Sequence, residues 1–301
     1  MKPLPGFLAS ECGTSETDTK NLSEPEARFH VLPVPLESSV SYGAGTAQGP
    51  AAILAASQQL EVWDGFSCPL EEGIHTLPAV DCSGRVEEVL PRIEEAVHRV
   101  LGAGRLPVLL GGEHTVTLGA LRALAAHLQE PLGLVQIDAH ADLRESYEGS
   151  IYSHACVMRR ALDDLDIHIF QFGVRALSLA EVELRQKEPR ISFLDAARFA
   201  YQGWPDQLLP PDFPEKVYIT FDVDGLDPSI IRSTGTPVPG GPGWYDCLQL
   251  VERAISGRRV LGFDVVELAP QAADHASSFA AAQLVYSLMG LVQRNEPQRK
   301  I

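Results

Sequence analysis

Six short apolar runs, spaced by longer stretches, restrict what this chain can fold into more than any other feature. They are Phe29–Val34, Leu106–Leu110, Leu132–Ile137, Ile167–Phe172, Val217–Phe221 and Val260–Val265. Each has the length of one strand, and none shows the strict apolar–polar alternation of a strand with one wet face. Between them, Arg85–Leu101 carries Val86, Leu90, Ile93, Val97 and Leu101 at the spacing of one helix face. Pro91 breaks that pattern, and the regular helix is expected to begin only there. Leu118–Leu128 and Asp274–Val292 also read as helices, the latter with Asp274 as its N-cap. Buried strands alternating with helices predict an α/β fold with a mainly parallel sheet covered on both faces, whose ligands bind beyond the carboxyl ends of the strands.

With 301 residues, no internal repeat and no visible boundary, the chain is expected to form a single domain over 29–301. Residues 1–28 form an arm; Ala9–Arg28 is rich in Ser, Thr, Glu and Asn and reads as loosely held. A formal charge of -16 repels phosphate backbones and anionic lipid, which argues against nucleic-acid or membrane binding as the main function. The five cysteines are scattered, with no CxxC pair, as expected of thiols in a reducing compartment. No apolar run is long enough to span a bilayer and the N-terminus lacks a secretory layout, so a cytoplasmic location is expected.

Four segments at the ends of these runs carry the chemistry. In Asp138-Ala-His140-Ala-Asp142, alternate residues of an extended chain face one spot. Asp222 and Asp224 repeat the arrangement in Phe-Asp-Val-Asp-Gly-Leu-Asp-Pro228, where two like charges need a cation to hold them together. Gly111-Gly112-Glu113-His114 offers a tight strand-to-helix turn with an imidazole, and Thr115 or Thr117 as a cap for the next helix. Glu267 closes the fourth run. Each segment alone has a plainer reading as a polar turn, a cap or a solvated strand end. Together they place two His and four Asp at three strand ends with a further carboxylate at a fourth. That set suits two divalent ions sharing carboxylates. Mn²⁺ is favoured over Zn²⁺ because carboxylate outnumbers imidazole and no thiolate takes part. Hydrolysis is the natural reaction class for such a pair.

At these residues the sequence resembles the ureohydrolase family of arginases and agmatinases. The ordered blocks include Gly-Gly-Glu-His114, Asp-Ala-His-Ala-Asp142, Ser153-His154, Thr-Gly-Thr-Pro-Val-Pro-Gly-Gly241 and Asp-Val-Val-Glu-Leu-Ala-Pro270, and the likeness runs from about Val31 to Leu291. The resemblance implies a three-layer α/β/α sandwich, assembled as trimers or hexamers, with two Mn²⁺ ions per chain (other divalent metals could use the same ligands). It makes Asp138 and Asp222 bridging ligands, with His114 and Asp142 completing one shell and His140 and Asp224 the other. A bridging hydroxide attacks the guanidino carbon in that scheme. Asp142 accepts its hydrogen bond, Glu267 binds the guanidinium, and His154 shuttles a proton to the leaving amine.

Between Asp142 and His154 the family reads the far end of its substrate. Arginases place an Asn/Ser-rich loop there, whereas this chain has Glu145, Tyr147 and Glu148, suited to a cationic tail; Arg144 is a complication. Agmatine is therefore the first expected substrate, giving putrescine and urea. N1-aminopropylagmatine, giving spermidine and urea, follows closely because the Asp-Leu-Arg-Glu…Tyr-Ser-His-Ala lettering also resembles enzymes acting on it. Arginine, guanidinobutyrate and guanidine come after. A binuclear phosphoesterase would need a later Asn-His-Asp/Glu turn that the chain lacks. A non-enzymatic arginase-fold partner protein would be expected to have lost a ligand, and none is lost.

Overall fold

A computed structural model describes residues 5–11 and 26–295. Its strands are β1 (Phe29–Val34), β2 (Ile74–Thr76), β3 (Leu106–Gly111), β4 (Leu132–Ile137), β5 (Ile167–Phe172), β6 (Ile191–Leu194), β7 (Lys216–Asp222) and β8 (Arg259–Val266). The helices are α1 (Gly49–Ser57), α2 (Val86–Gly102), α3 (Val116–His127), α4 (Val157–Asp164), α5 (Leu179–Lys187), α6 (Ala196–Gln202), α7 (Trp244–Ile255) and α8 (His275–Asn295). All strands join one parallel sheet in the order β2-β1-β3-β8-β7-β4-β5-β6. The pleat sends alternate residues into two cores. Val135 and Ile137 pack with α1, α7 and α8, while Leu132 and Leu134 pack with α2, α3 and α4. This is a three-layer α/β/α sandwich.

All six strands expected from the sequence are present within a residue or so of their bounds. β2 and β6 are additional; at three and four residues, on the sheet's two edges, they are too short to show a period. Helix α2 begins at Val86, five residues earlier than Pro91 was expected to allow. The proline removes one hydrogen bond, which costs about 3 kcal/mol in a helix interior. Burial of Val89, Leu90, Ile93, Val97 and Val100 outweighs it, at roughly 1.5–3 kcal/mol per side chain. Asp274 does cap α8, its carboxylate accepting from the Ser277 amide. Of the N-terminal arm, the described residues 5–11 are docked. Phe7 and Leu8 are buried, with their amides donating to Thr76 Oγ1 (2.8 Å) and Ser57 Oγ (2.9 Å). Residues 12–25 lie outside the described part. No helix among the described residues is long and apolar enough to cross a membrane.

Candidate metal centre

The four central strands, β3, β8, β7 and β4, deliver the chemistry at their carboxyl ends. His114 follows β3, Glu267 follows β8, Asp222 ends β7 with Asp224 beyond it, and Asp138, His140 and Asp142 follow β4. The glycines before His114 serve close approach, since neither has a positive φ. A Cβ on Gly112 would stand 1.9 Å from the Leu36 carbonyl oxygen, so only glycine lets the loop after β1 close down here. Thr115 makes no cap bond to α3; its hydroxyl donates to the Tyr152 carbonyl instead.

His114 Nδ1 faces three carboxylates, 3.0 Å from Asp142 Oδ2, 3.2 Å from Asp138 Oδ2 and 3.5 Å from Asp222 Oδ2. His140 Nδ1 is 3.1 Å from Asp224 Oδ2 and 3.6 Å from Asp138 Oδ1. Potential ligand atoms of His114, Asp138 and Asp222, and those of Asp138, His140 and Asp224, form two groups, each within 4.8 Å. Asp138 belongs to both. The carboxylates are aimed by backbone and amide donors. Asp138 accepts from the His140 amide (2.6 Å) and Gln136 Nε2 (2.8 Å), Asp222 from the Asp224 amide (2.8 Å), and Asp224 from the Ala139 amide (3.1 Å).

Behind His114 lies a chain of bonds that fixes its ring. Thr220 Oγ1 donates to Asp264 Oδ1 (2.6 Å) and Thr117 Oγ1 to Asp264 Oδ2 (2.9 Å). With its proton committed, Thr220 can only accept from His114 Nε2 at 2.8 Å. Nδ1, a fully buried atom that makes no hydrogen bond, is then the nitrogen whose lone pair an ion would take once the ring is neutral. A buried, unpartnered imidazole nitrogen facing carboxylates that share one pocket fits a divalent ion, and four aspartates match the charge of two.

The electrostatics carry the same message. Burial drives the His114 imidazole toward neutrality, but the Asp138 and Asp142 carboxylates outweigh it and hold the pKa well above the ordinary range. In His140 burial is likewise overcome by Asp138 and Asp224, which push it up to about 11. Burial works against Asp138 too, yet the flanking histidines hold it below the usual carboxylate range. Burial and the charges of Asp224 and Asp138 raise Asp222 well above that range. Burial and Asp138 raise Asp142, and burial and Glu113 raise Glu267. A ligating imidazole must be neutral, so loading divalent ions at neutral pH is expected to release at least about one proton per ion bound. Titration calorimetry in two buffers of different ionisation enthalpy measures this, and loading without proton release would mean that both imidazoles are already neutral in the metal-free protein.

Asp142 (φ 53°) and Glu267 (φ 65°) both adopt the left-handed region. Such strain costs about 1–3 kcal/mol per residue and gathers at functional sites. Glu267 Oε1 accepts from the His114 amide at 2.6 Å, and its side chain lines the same cleft as His154, Ser41, Asp142 and Asp224. The residues expected to read the substrate tail stand differently. Tyr147 lies edge-on to His154 with ring centres 6.0 Å apart, and the Arg144 guanidinium sits 5.2 Å over its ring. Glu145 and Glu148 are exposed; Glu145 lines a separate depression with Arg159 and Ser178, and Glu148 sits on a left-handed turn. A depression of about 440 Å³ opens at the other end of the sheet around Arg105, Lys216 and Arg259, and it contains none of the ligand groups.

Sequence reasoning passed over Glu113, Thr220, Asp264 and Arg175. Asp264 left a usable signal, as a carboxylate in the middle of an apolar strand. Arg175 left none; its guanidinium donates to the carbonyls of Gly173, Asp224, Gly225, Leu226 and Val238, tying the Asp224 turn to its neighbours.

Comparison with known proteins bears on the whole chain. An N(1)-aminopropylagmatine ureohydrolase of Synechocystis sp. is 37% identical over 98% of this chain and 95% of its own length. One from Thermus thermophilus is 39% identical over 88% of this chain and 90% of its own. The crystal structure of agmatine ureohydrolase of Thermoplasma volcanium superposes with a TM-score of 0.78 at 33% identity, covering 90% of this chain and 92% of that one. A sequence model of the arginase family matches residues 27–290, a span that holds every strand and every candidate ligand described above, and the chain belongs to that family.

Proposed function

We propose that this chain hydrolyses the guanidino group of N1-aminopropylagmatine, giving spermidine and urea. The observation that carries the reading is the buried Glu267 carboxylate beside the two His/Asp groups in one narrow cleft. A planar guanidinium presents N–H donors that a carboxylate accepts in pairs. Two divalent ions, for which we favour Mn²⁺, supply an activated water and a positive field when bound by His114, Asp138, His140, Asp142, Asp222 and Asp224. Glu267 orients the guanidinium. Asp142 takes a proton as water adds to the guanidino carbon. The bond to the tail nitrogen then breaks, that nitrogen leaves as an amine, and His154 carries the proton it needs. Tyr147, edge-on to His154, is the tail-loop residue we assign to a cationic chain, while Glu145 and Glu148 act through charge rather than contact. The trimeric or hexameric assembly belongs to this proposal, as does a cytoplasmic location, which the free thiols of Cys68, Cys82, Cys156 and Cys247 support.

The sequence alone ranked agmatine first. The relatives turn that order round, because those from Synechocystis and Thermus bear the name of the longer substrate. Agmatine is the second reading, favoured by the agmatine ureohydrolase structure. Urea release after Mn²⁺ loading, with bound metal quantified, separates them. We expect kcat/KM for N1-aminopropylagmatine to exceed that for agmatine by about tenfold or more. The reverse preference supports agmatine, and preference for arginine or guanidinobutyrate overturns the cationic tail. Inactivity of metal-loaded protein on all of them, and on free guanidine, overturns the substrate class.

A further inference from the structure

Glu113 lies next to a metal ligand in sequence yet is bonded to another part of the molecule. Its fully buried carboxylate takes four hydrogen bonds from the loop after β1. Oε2 accepts from the amides of Ser38 and Ser39, and Oε1 from their two hydroxyls, each at 2.9 Å. The same loop is held further along by Glu37, which accepts from the amides of Gly45 and Ala47 at 2.9 Å. Ser39 Oγ also accepts from the His154 amide at 3.0 Å and stands 3.1 Å from His154 Nδ1. On the other side of the ring, Ser41 Oγ is 2.8 Å from Nε2.

Counting protons assigns the ring. A carboxylate only accepts, so the single Ser39 hydroxyl proton goes to Glu113. Ser39 then has only lone pairs for His154, and Nδ1 must carry a hydrogen to meet them. Ser153 Oγ, 3.4 Å from Nδ1, can accept from the same hydrogen. Nε2 is left with its lone pair, receiving the Ser41 hydroxyl proton, and both residues line the cleft. We infer that Glu113 and Ser39 are positioning residues that set the tautomer of His154, leaving Nε2 as the proton acceptor turned to the cleft through Ser41. The catalytic consequence rests on the guanidino-hydrolase reading; the tautomer itself does not.

The substitution Glu113→Gln tests this with little change of shape. The glutamine oxygen must take the Oε2 position, because two backbone N–H groups donate there. Its NH₂ then faces the two hydroxyls and donates to them. Ser39 is forced to turn its own proton toward Nδ1, and the tautomer inverts. ¹⁵N NMR of histidine-labelled full-length protein, loaded with diamagnetic Zn²⁺ at about pH 9, above the ordinary imidazole range, reads this directly. The His154 signals are identified by their loss in His154→Asn. The wild type is expected to show a protonated Nδ1 and a bare Nε2, and Glu113→Gln the reverse. In the Mn²⁺ enzyme, kcat for the preferred guanidino substrate is expected to fall about 100-fold with KM and metal content unchanged. If Glu113→Gln fails to fold, Ser39→Ala removes the acceptor of Nδ1 together with its bonds to Glu113 and the His154 amide, and the Nδ1–H form should lose its dominance. A wild-type ring protonated on Nε2, or a folded Glu113→Gln protein with an unchanged tautomer, overturns the inference. An enzyme inactive on every guanidino compound would sink the substrate class and leave the NMR result standing.

Discussion

Asp138→Asn is expected to strip both ions from the centre and to lower urea release by about a thousandfold or more. Asp138 is the one residue common to both ligand groups, and both of its oxygens face imidazoles that face other carboxylates. Removing its charge therefore weakens two sites at once. His140→Ala removes a ligand from one group only, so it should lose one ion per chain while the group of His114, Asp138 and Asp222 keeps the other. Metal analysis of the two variants beside the wild type makes the comparison, with melting curves confirming that each is folded. A folded Asp138→Asn protein that keeps two ions and near-normal turnover would dismantle the two-ion assignment.

Arg175→Ala should produce a large loss of stability. One guanidinium satisfies five carbonyls drawn from the ends of β5 and β7 and from the loop at Val238. Carbonyls left without a donor cost about 1–3 kcal/mol apiece when buried, and some will recover water. We expect a loss of about 3 kcal/mol or more, which corresponds to a fall in Tm of roughly 5 °C for a chain of 301 residues. Arg175→Lys should not rescue it. An ammonium is a point charge with three donors and cannot span carbonyls that a planar five-donor fork reaches together. A lysine variant melting with the wild type would show that charge, not geometry, is what this position supplies. Because the Asp224 carbonyl is among the acceptors, the ion held by His140 and Asp224 should also bind more weakly.

The residues that were legible in the sequence are those whose signal is local. β1, β3, β4, β5, β7 and β8 read as strands because both of their faces are buried, and the ligands read as ligands because they follow those strands at a spacing of two. α1 hid because Gly-Pro-Ala-Ala-Ile-Leu-Ala-Ala-Ser has scarcely any polar face to mark an amphipathic period. α5 did announce itself through the Ser178–Glu181 capping box, a signal that went unused. The supports of the site are another matter. Ser39 meets His154 across 115 residues of sequence and Glu113 across 74. Nothing in the wording of a serine-rich loop predicts that closure, which depends on a missing Cβ at Gly112. Glu145 and Glu148 show how position in sequence differs from position in space. Being between Asp142 and His154 in sequence suggested nearness, but the Tyr147–Ser150 turn leaves both exposed.

The sheet order carries one more consequence, for how the parts of the centre are joined. β8 is the last strand to leave the ribosome, yet it lies in the middle, between β3 and β7. Without it the strand pairings fall into two sets, β2-β1-β3 and β7-β4-β5-β6, with no edge in common. Asp138, His140 and Asp224 all hang from the later half, so one group of ligand candidates lies within a single set of strands. His114 hangs from the earlier half and meets Asp138 and Asp222 across β8. The strand that closes the gap also brings Asp264, whose carboxylate clasps Thr117 from one half and Thr220 from the other. The last strand in sequence is therefore the one that joins the two groups of ligand candidates, and Asp264 on it is the side chain that bridges them.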